Sequence, residues 1–235
     1  MSENNVNITI ANRLATAHDK MTIAIQKAGR QVNDVSLIAV SKTMSCDKVQ
    51  QAYDAGQRKF GENYAQELQE KAQQLQSLQG IEWHFIGPIQ SNKTAIVAQN
   101  AHWVDSIDRV KIAKRLDQHC QALGKKLNIL VQVNISQSPS KAGIPLQDVD
   151  SFIDELREFK SLTVRGLMAI PDAYEDKSIQ NKEFQALHTC FLQLQHKHIS
   201  IDTLSLGMTA DMEDAILFGS TMIRLGTAIF GPRVS

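Results

Sequence analysis

The sequence predicts an α/β fold: a single-domain (β/α)8 TIM barrel with an additional N-terminal helix. Short apolar runs rich in β-branched residues alternate with longer stretches of helical period. The runs number eight, which is the count that closes such a barrel. No linker divides the chain, because its five prolines are scattered and no Ser/Gly-rich or strongly charged run occurs. Residues 1–235 therefore form one predicted domain, and a doubly wound open sheet is the alternative architecture.

The first predicted element is an amphipathic helix over residues 7–28. Ile10, Leu14, Met21 and Ile25 recur at helical spacing. Gly29 follows as a C-terminal stop, since glycine readily adopts the left-handed conformation that ends many helices. This helix precedes the first strand and is additional to the repeating strand–helix units.

The strands and helices of the barrel follow in alternation, which predicts parallel strands joined by helical crossovers. The predicted strands cover residues 36–42, 59–63, 82–87, 102–107, 128–135, 163–170, 203–208 and 222–231. The predicted helices cover residues 45–56, 64–79, 90–100, 109–124, 145–160, 177–197 and 209–220. Most of these helices place apolar residues on one face, as an outer ring requires. The Gln-rich stretch over 66–79 is too short for a coiled coil and is predicted to be a solvated barrel helix.

Composition excludes several classes of partner. The chain carries 25 basic and 25 acidic residues, so no net charge attracts nucleic acid or an anionic membrane. Its three cysteines, with no C-x-x-C spacing, predict neither a disulfide framework nor a zinc site. No run of about 18 apolar residues and no signal sequence occurs, so a cytoplasmic protein is expected.

Reactive groups of a barrel gather at the C-terminal ends of its strands. Strand 1 ends at Lys42, where we expect a partly desolvated amine with its ammonium form disfavoured. Strand 2 ends at Glu62 and Asn63. Glu62 is a candidate general base whose partner the sequence does not identify.

Strands 7 and 8 end in glycines and hydroxyl residues, which predicts a phosphate site. After strand 7, Gly207 relieves crowding, Thr209 offers a hydroxyl, and a helix begins with exposed N–H groups. On strand 8, Arg224 and Gly226 share a face by period-2 alternation, and Thr227 follows a glycine that admits close backbone approach.

Lys42 comes within reach of this phosphate site because strands 1 and 8 are neighbours in a closed barrel. A lysine, a phosphate cradle and a polar ring partner together indicate a pyridoxal 5′-phosphate (PLP) site, since a neutral amine forms a Schiff base with the aldehyde. The alternatives are that Lys42 is a solvated or paired charge, that the Gly-Thr clusters are ordinary turns, and that Arg224 pairs with Asp211 or Glu213.

Other candidate sites are weaker. A metal site is not expected at His188, Cys190, His196 and His198, which share one predicted helix at spacings that mostly miss an i, i+4 pair. His84 and His102, beside Trp83 and Trp103, are expected to be satisfied core histidines. No P-loop and no G-x-G-x-x-G motif follows a strand, which argues against nucleotide binding.

Seven ordered blocks resemble the pyridoxal phosphate homeostasis protein family, which is related to the N-terminal barrel of alanine racemase. They are "LIAVSKT", "FGENYAQEL", "WHFIGPIQSNK", "LVQVNIS", "GLMAIP", "LSLGMTADMEDAI" and "IRLGTAIFG", within residues 36–231. The resemblance implies a PLP-binding barrel in which Lys42 holds the cofactor as an internal aldimine and Arg224 faces the pyridine nitrogen. It further implies phosphate ligands at Thr209, Gly226 and Thr227, with Asn63 beside the ring. Residues 207–209 read "GMT" where many members of the family have "GMS", but threonine at position 209 keeps the hydroxyl of that serine.

The same resemblance predicts a protein without robust catalysis. A cation at the pyridine nitrogen disfavours its protonation and weakens the cofactor as an electron sink. In alanine racemases a tyrosine from a separate β-domain supplies the second base, and this chain ends at Ser235, directly after strand 8. We therefore expect a monomer that takes part in vitamin B6 homeostasis by storing, delivering or buffering PLP, with PLP-dependent apo-enzymes as recipients.

Two other functions stay open at this point. One is a small PLP-dependent amino-acid racemase that uses Tyr64, Glu62 or a water as its second acid or base, with Tyr174 also able to reach the mouth. The other is a regulatory protein that has lost its cofactor, against which the intact lysine, arginine and phosphate residues argue.

Overall fold

The computed structural model describes residues 9–232, and its eight parallel strands form a closed barrel in chain order. The strands are β1 (Ser36–Val40), β2 (Lys59–Glu62), β3 (Glu82–Phe85), β4 (Trp103–Ile107), β5 (Leu127–Val133), β6 (Leu162–Ala169), β7 (Thr203–Ser205) and β8 (Met222–Leu225). The helices are α1 (Ile10–Lys27), α2 (Cys46–Asp54), α3 (Ala65–Gln74), α4 (Thr94–Asn100), α5 (Val110–Ala122), α6 (Val149–Leu156), α7 (Lys177–Lys197), α8 (Met212–Leu217) and α9 (Thr227–Phe230). Short 3₁₀ turns lie at Val32–Asp34, Ser91–Lys93 and Leu146–Asp148.

Pairing between the first and last strands closes the sheet. Ile38 of β1 lies opposite Arg224 of β8, and Ala39 lies opposite Leu225. The predicted barrel is therefore confirmed, and the doubly wound alternative is wrong, because the β1–β8 pairing closes the sheet in chain order and leaves no edge strand. The predicted domain limits, 1 and 235, lie outside the described residues.

Two predicted elements near the C-terminus have different bounds. The strand predicted over 222–231 ends at Leu225, because the chain turns at Gly226 into the helical turn α9. The helix predicted to begin at Thr209 begins at Met212 instead. Thr209 therefore lies on a turn between β7 and α8.

The N-terminal helix is confirmed as α1. The Thr9 hydroxyl accepts a hydrogen bond from the backbone N–H of Asn12 at 3.2 Å, which caps the first turn. The buried face of α1, which includes Leu14 and Ile25, packs on the barrel's outer helices α8 and α9. The predicted start at Asn7 lies outside the described residues.

Apolar side chains fill the barrel on both sides of the sheet. The larger cluster lies between the strands and the outer helices. A smaller cluster fills the interior and comprises Ile38, Trp103, Leu130, Met168 and Met222. Above and among these residues lie buried polar side chains, so the interior is a packed core rather than a pore.

The two strand histidines have different environments. His84 is buried, stacks on Trp103 with ring centroids 5.2 Å apart, and lies 3.2 Å from a carboxylate oxygen of Asp105. Burial alone would lower the pKa of His84, but Asp105 and Glu82 raise it above its usual value. His84 is thus the satisfied core histidine that the sequence predicts. His102 is exposed and precedes β4, so it is not a core residue, although its Nδ1 accepts a hydrogen bond from the Trp83 backbone N–H at 3.0 Å.

No helix within residues 9–232 has the length and apolar character needed to cross a membrane. The three cysteines form no disulfide in the structure.

Candidate functional site

A cavity of about 250 Å³ opens at the C-terminal end of the barrel. Its lining includes all six residues that the sequence predicts for the cofactor site: Lys42, Asn63, Thr209, Arg224, Gly226 and Thr227. These residues come from the ends of β1, β2, β7 and β8, so closure of the barrel brings them together. The volume is near the lower end of the range for small-molecule pockets, roughly 300 Å³.

Lys42 reaches the cavity from a turn rather than from a strand. β1 ends at Val40, two residues earlier than predicted, and the turn begins directly after Ser41. Ile38 faces the interior and Val40 lines the cavity, so the same alternation carries Lys42 inward. The Lys42 side chain is half-buried, and the next residue, Thr43, has a left-handed backbone with φ 64°.

Arg224 places a cation in the barrel interior beside the cavity. Arg224 is only 4% exposed. One guanidinium nitrogen donates to the Ser205 hydroxyl, and the other donates to the Ala169 carbonyl oxygen at 2.9 Å. Burial lowers the pKa of Arg224, while the charges of Asp105 and Asp211 act to raise it. The guanidinium keeps its proton nonetheless, because an arginine does not lose it within proteins.

The predicted alternative for Arg224, an ion pair with Asp211 or Glu213, does not form. Within the described residues, no carboxylate oxygen lies within 4 Å of the guanidinium nitrogens. Asp211 instead accepts a hydrogen bond from the Met208 backbone N–H at 2.6 Å. Glu213 lies 3.5 Å from the Lys27 ammonium on the outer surface. Within residues 9–232, the hydrogen-bond acceptors of Arg224 are thus neutral groups, and no carboxylate lies within ion-pair distance.

Hydroxyl groups line the cavity on the side of β7 and β8. Thr209 and Thr227 are both exposed at the mouth. Gly207 sets the path of the first loop, since its φ is 99° and a Cβ atom there would lie 2.5 Å from the Cβ of Ala215. The predicted relief of crowding at Gly207 is confirmed. The predicted helix start at Thr209 is not, so this residue contributes its hydroxyl from a loop.

Asn63 forms another part of the cavity wall, where β2 ends. A Cβ atom at Gly87 would lie 2.2 Å from the Asn63 carbonyl oxygen, so only glycine lets the end of β3 approach so closely. The Asn63 side-chain oxygen is buried and has no hydrogen-bond partner within residues 9–232. A buried acceptor of this kind is ready for a donor from a bound molecule.

Apolar side chains complete the cavity, and the sequence analysis did not name them. They are Val40, Met44, Ile86, Ile170 and Met208. Two of them could have been predicted from their spacing along the strands. Val40 is two residues before Lys42, and Ile170 is two residues after the interior Met168. Period-2 alternation would have placed both at the cavity.

The residues of the cavity fit PLP, the group that the sequence resemblance implies. A half-buried amine suits an aldehyde, two threonine hydroxyls suit a phosphate, and apolar walls suit an aromatic ring. A buried guanidinium and an acceptor without a partner suit the polar positions of such a ring.

Glu62 does not line the cavity with its neighbour Asn63. Its side chain is fully buried on the outer face of β2, where it contacts the Lys71 ammonium of α3 at 2.8 Å and the Ser41 hydroxyl at 2.5 Å. Burial raises the pKa of Glu62 to about 7, against the opposing effects of Lys71 and Ser41. The partner that the sequence could not identify is therefore Lys71.

The two tyrosines considered as a second acid or base lie elsewhere. The Tyr174 hydroxyl donates to Glu183 at 2.6 Å. Tyr64 is exposed and lines a neighbouring cavity together with Lys93 and Arg109. Among the described residues that line the Lys42 cavity, the ionisable ones are Lys42 and Arg224.

Within residues 9–232, no group of three or more His, Cys, Asp or Glu side chains is arranged to hold a metal ion.

Comparison with known proteins gives consistent matches along the chain. The family model described as alanine racemase, N-terminal domain, matches residues 18–234. A pyridoxal phosphate homeostasis protein of Escherichia coli K12 is 46% identical over 226 residues, which cover 95% of this chain and 97% of that protein. The name of this relative describes homeostasis rather than an enzymatic reaction.

Solved structures agree with the fold. PipY of Synechococcus elongatus, solved with PLP bound, superposes with a TM-score of 0.83 at 32% identity, covering 95% of this chain and 100% of that one. Alanine racemase of Clostridium difficile superposes with a TM-score of 0.72 at 12% identity, covering 93% of this chain and 60% of that one. The second likeness is one of fold alone.

Proposed function

The chain belongs to the pyridoxal phosphate homeostasis protein family, and from this premise we propose that it binds PLP in the Lys42 cavity and takes part in PLP homeostasis by storing, delivering or buffering the cofactor. The observation that carries the proposal is the meeting of Lys42, Arg224 and the two threonine hydroxyls in one cavity. The residues that we assign to PLP are Lys42, Asn63, Thr209, Arg224, Gly226 and Thr227.

Lys42 is the residue we assign to covalent attachment. When bound, PLP supplies an aldehyde and a pyridine ring that can stabilise negative charge. Lys42 would hold the cofactor through its side-chain amine, the group that condenses with an aldehyde. Lys42 is half-buried and lines the cavity, so its amine lies where a bound aldehyde would be held.

The other assigned residues orient the cofactor. We assign the phosphate to Thr209, Thr227 and the backbone at Gly226, which line the cavity at the ends of β7 and β8. Arg224 is held by Ser205 and Ala169, so its charge has a fixed position at the interior end of the cavity. A fixed cation beside the ring nitrogen disfavours protonation of that nitrogen.

We further propose that the protein does not catalyse amino-acid turnover efficiently. Racemisation needs a second acid or base on the far side of the substrate carbon. Glu62 faces away from the cavity, Tyr174 is bonded to Glu183, and Tyr64 lies at a neighbouring cavity. These positions support a binding role over the racemase alternative.

A titration with PLP tests the binding role. We expect wild type to develop a visible absorbance band that disappears on borohydride reduction, and Lys42→Ala to develop none. Lys114→Ala is the matched control, since Lys114 is an exposed lysine of α5 and does not line the cavity. Equal spectra for wild type and Lys42→Ala would contradict the assignment.

Hydrogen exchange in deuterated water tests the absence of turnover. We expect the PLP-loaded protein to exchange the α-hydrogen of alanine or serine no faster than free PLP does. Exchange at the rate of a racemase would favour the alternative function.

The remaining proposals concern partners and location. We propose that PLP-dependent apo-enzymes receive the cofactor, that the protein is a monomer, and that it resides in the cytoplasm. Three cysteines without a disulfide are consistent with a reducing compartment. Net charge near zero gives no support to nucleic acid or an anionic membrane as a partner.

A further inference from the structure

A buried charged cluster lies behind the cavity wall, on the outer face of β1 and β2. We call Ser41, Glu62, Glu67 and Lys71 the Lys71 cluster. The Lys71 ammonium lies 2.8 Å from Glu62 and 3.1 Å from Glu67. Lys71 is only 4% exposed and Glu62 is fully buried. The function proposed above does not use either residue directly.

The Lys71 cluster holds the backbone on both sides of Lys42. On one side, the Lys71 ammonium donates to the Ser41 carbonyl oxygen at 2.8 Å, and the Ser41 hydroxyl donates to Glu62. On the other side, the Thr43 backbone N–H donates to a Glu67 carboxylate oxygen at 2.8 Å. The same Glu67 oxygen accepts from Lys71. The residues immediately before and after Lys42 are thus tied to one ammonium group.

The turn at Lys42 needs such support. Thr43 has φ 64°, a left-handed conformation that is unfavourable for a β-branched residue and persists only where its surroundings impose it. The bond from the Thr43 N–H to Glu67 is a charge-assisted hydrogen bond, which is stronger than one between neutral groups. Burial acts to raise the pKa of Glu67, but the bonds from Thr43 and Lys71 more than offset it and lower the pKa, so this acceptor stays ionised.

A contribution to stability does not by itself explain why these buried residues are charged. Buried ion pairs often contribute no more to stability than well-packed apolar residues of similar volume. An apolar side chain at position 71 would fill the same space between α3 and the barrel, but it could not hold the Ser41 carbonyl or the Glu67 carboxylate. What the charged cluster adds is a fixed position for residues 41–43.

We propose that Lys71, together with Glu62 and Glu67, is a positioning group that fixes the turn around Lys42 and thereby aims the Lys42 amine into the cavity. The inference rests on the proposed function. Its action passes through the backbone of Ser41 and Thr43, so these residues are positioning residues and do not react with PLP themselves. Effective reaction between two bound groups depends strongly on their alignment, and a small displacement can cost one or two orders of magnitude in rate.

The first test replaces Lys71 with methionine. In the chain without PLP, we expect amide hydrogen exchange of the segment spanning residues 41–44 to accelerate at least about tenfold, because the bonds that hold it are lost. With PLP added, we expect the visible band to form at least about tenfold more slowly. Leu68→Ala is the matched control, since Leu68 is fully buried on the same helix and makes none of the bonds to the turn. It is expected to weaken packing without these two effects.

A second pair of variants separates the positioning role from a loss of folding. Glu67→Ala removes the acceptor of the Thr43 N–H at a half-buried position, whereas Glu67→Gln keeps an acceptor oxygen. We expect Glu67→Ala to slow formation of the band severalfold while its thermal midpoint stays close to that of wild type, and Glu67→Gln to recover most of the rate.

Three results would overturn the inference: unchanged exchange and rate in Lys71→Met, equal effects in Leu68→Ala, or equal rates for Glu67→Ala and wild type. Failure of the proposed function looks different, because wild type itself would then form no band.

Discussion

Gly207 illustrates how a single residue shapes the cavity. Its backbone has φ 99°, and a Cβ atom there would lie 2.5 Å from Ala215. Gly207→Ala should therefore lower the free energy of unfolding by roughly 2–4 kcal/mol, combining backbone strain with steric overlap. Gly124→Ala is the matched control: Gly124 has φ 63° with no atom near the added Cβ, so a cost of about 1 kcal/mol is expected from strain alone. Equal costs in urea denaturation would show that the contact with Ala215 is unimportant.

Glu62 should make stability depend on pH. Its pKa is raised from 4.5 to about 7 by burial, so the folded chain binds a proton that the unfolded chain releases between these values. Stability from this group is therefore fully present below about pH 4.5 and is lost as pH rises through about 7. The loss amounts to roughly 3 kcal/mol at most.

Glu62→Gln removes this titration and keeps the side-chain shape. Urea denaturation at a series of pH values should show wild type losing stability relative to Glu62→Gln between pH 4.5 and about 7, with a constant difference above that range. Parallel stability curves for the two proteins across this range would contradict the raised pKa.

At the level of single residues, the sequence predicts which residues line the cavity better than it predicts the hydrogen bonds that hold them in position. The meeting of Lys42, Arg224 and Thr227 at one cavity was predictable, because reactive groups gather at strand ends in a barrel. The acceptors of Arg224, Ser205 and the Ala169 carbonyl, could not be predicted, because they come from strands 19 and 55 residues earlier in the chain.

Helix α1 shows how an element outside the strand–helix repeat attaches to the barrel. Its buried face packs on α8 and α9, next to the strand ends that supply Thr209 and Thr227. Ile25 is fully buried there, whereas Ile23 of the same helix is 51% exposed. We expect Ile25→Ala to lower the free energy of unfolding by about 2–5 kcal/mol. Ile23→Ala, the matched control, should change it by less than about 0.5 kcal/mol.

Thermal or urea unfolding of both variants checks this expectation. Similar losses for the two isoleucines would mean that α1 contributes no more than its own helical stability.

The bounds of elements were predictable where local signals decide them. The helix predicted over 177–197 is observed as α7 with the same bounds. The strand predicted over 222–231 is shorter, because its second half has the composition of a strand but forms the helical turn α9 around the cavity. Short segments at a binding site follow their tertiary surroundings more than their own preferences.

The closed barrel as a whole follows from features that the sequence displays. Eight apolar runs with helical crossovers leave few architectures that bury every strand, and closure makes β1 and β8 neighbours. The Lys71 cluster could not be predicted in this way. Its bonds join residues 4 to 30 positions apart, and a lysine in the middle of a Gln-rich helix has the local pattern of a solvated residue.

The central claim is that one amine, that of Lys42, attaches PLP covalently in the barrel. The most direct measurement is borohydride reduction of the PLP-saturated chain, followed by proteolysis and mass-spectrometric mapping of the modified peptides. We expect one phosphopyridoxyl group per chain, carried by the peptide that contains Lys42. A protein that acquires no label, or that carries its label chiefly on another lysine, would contradict the account.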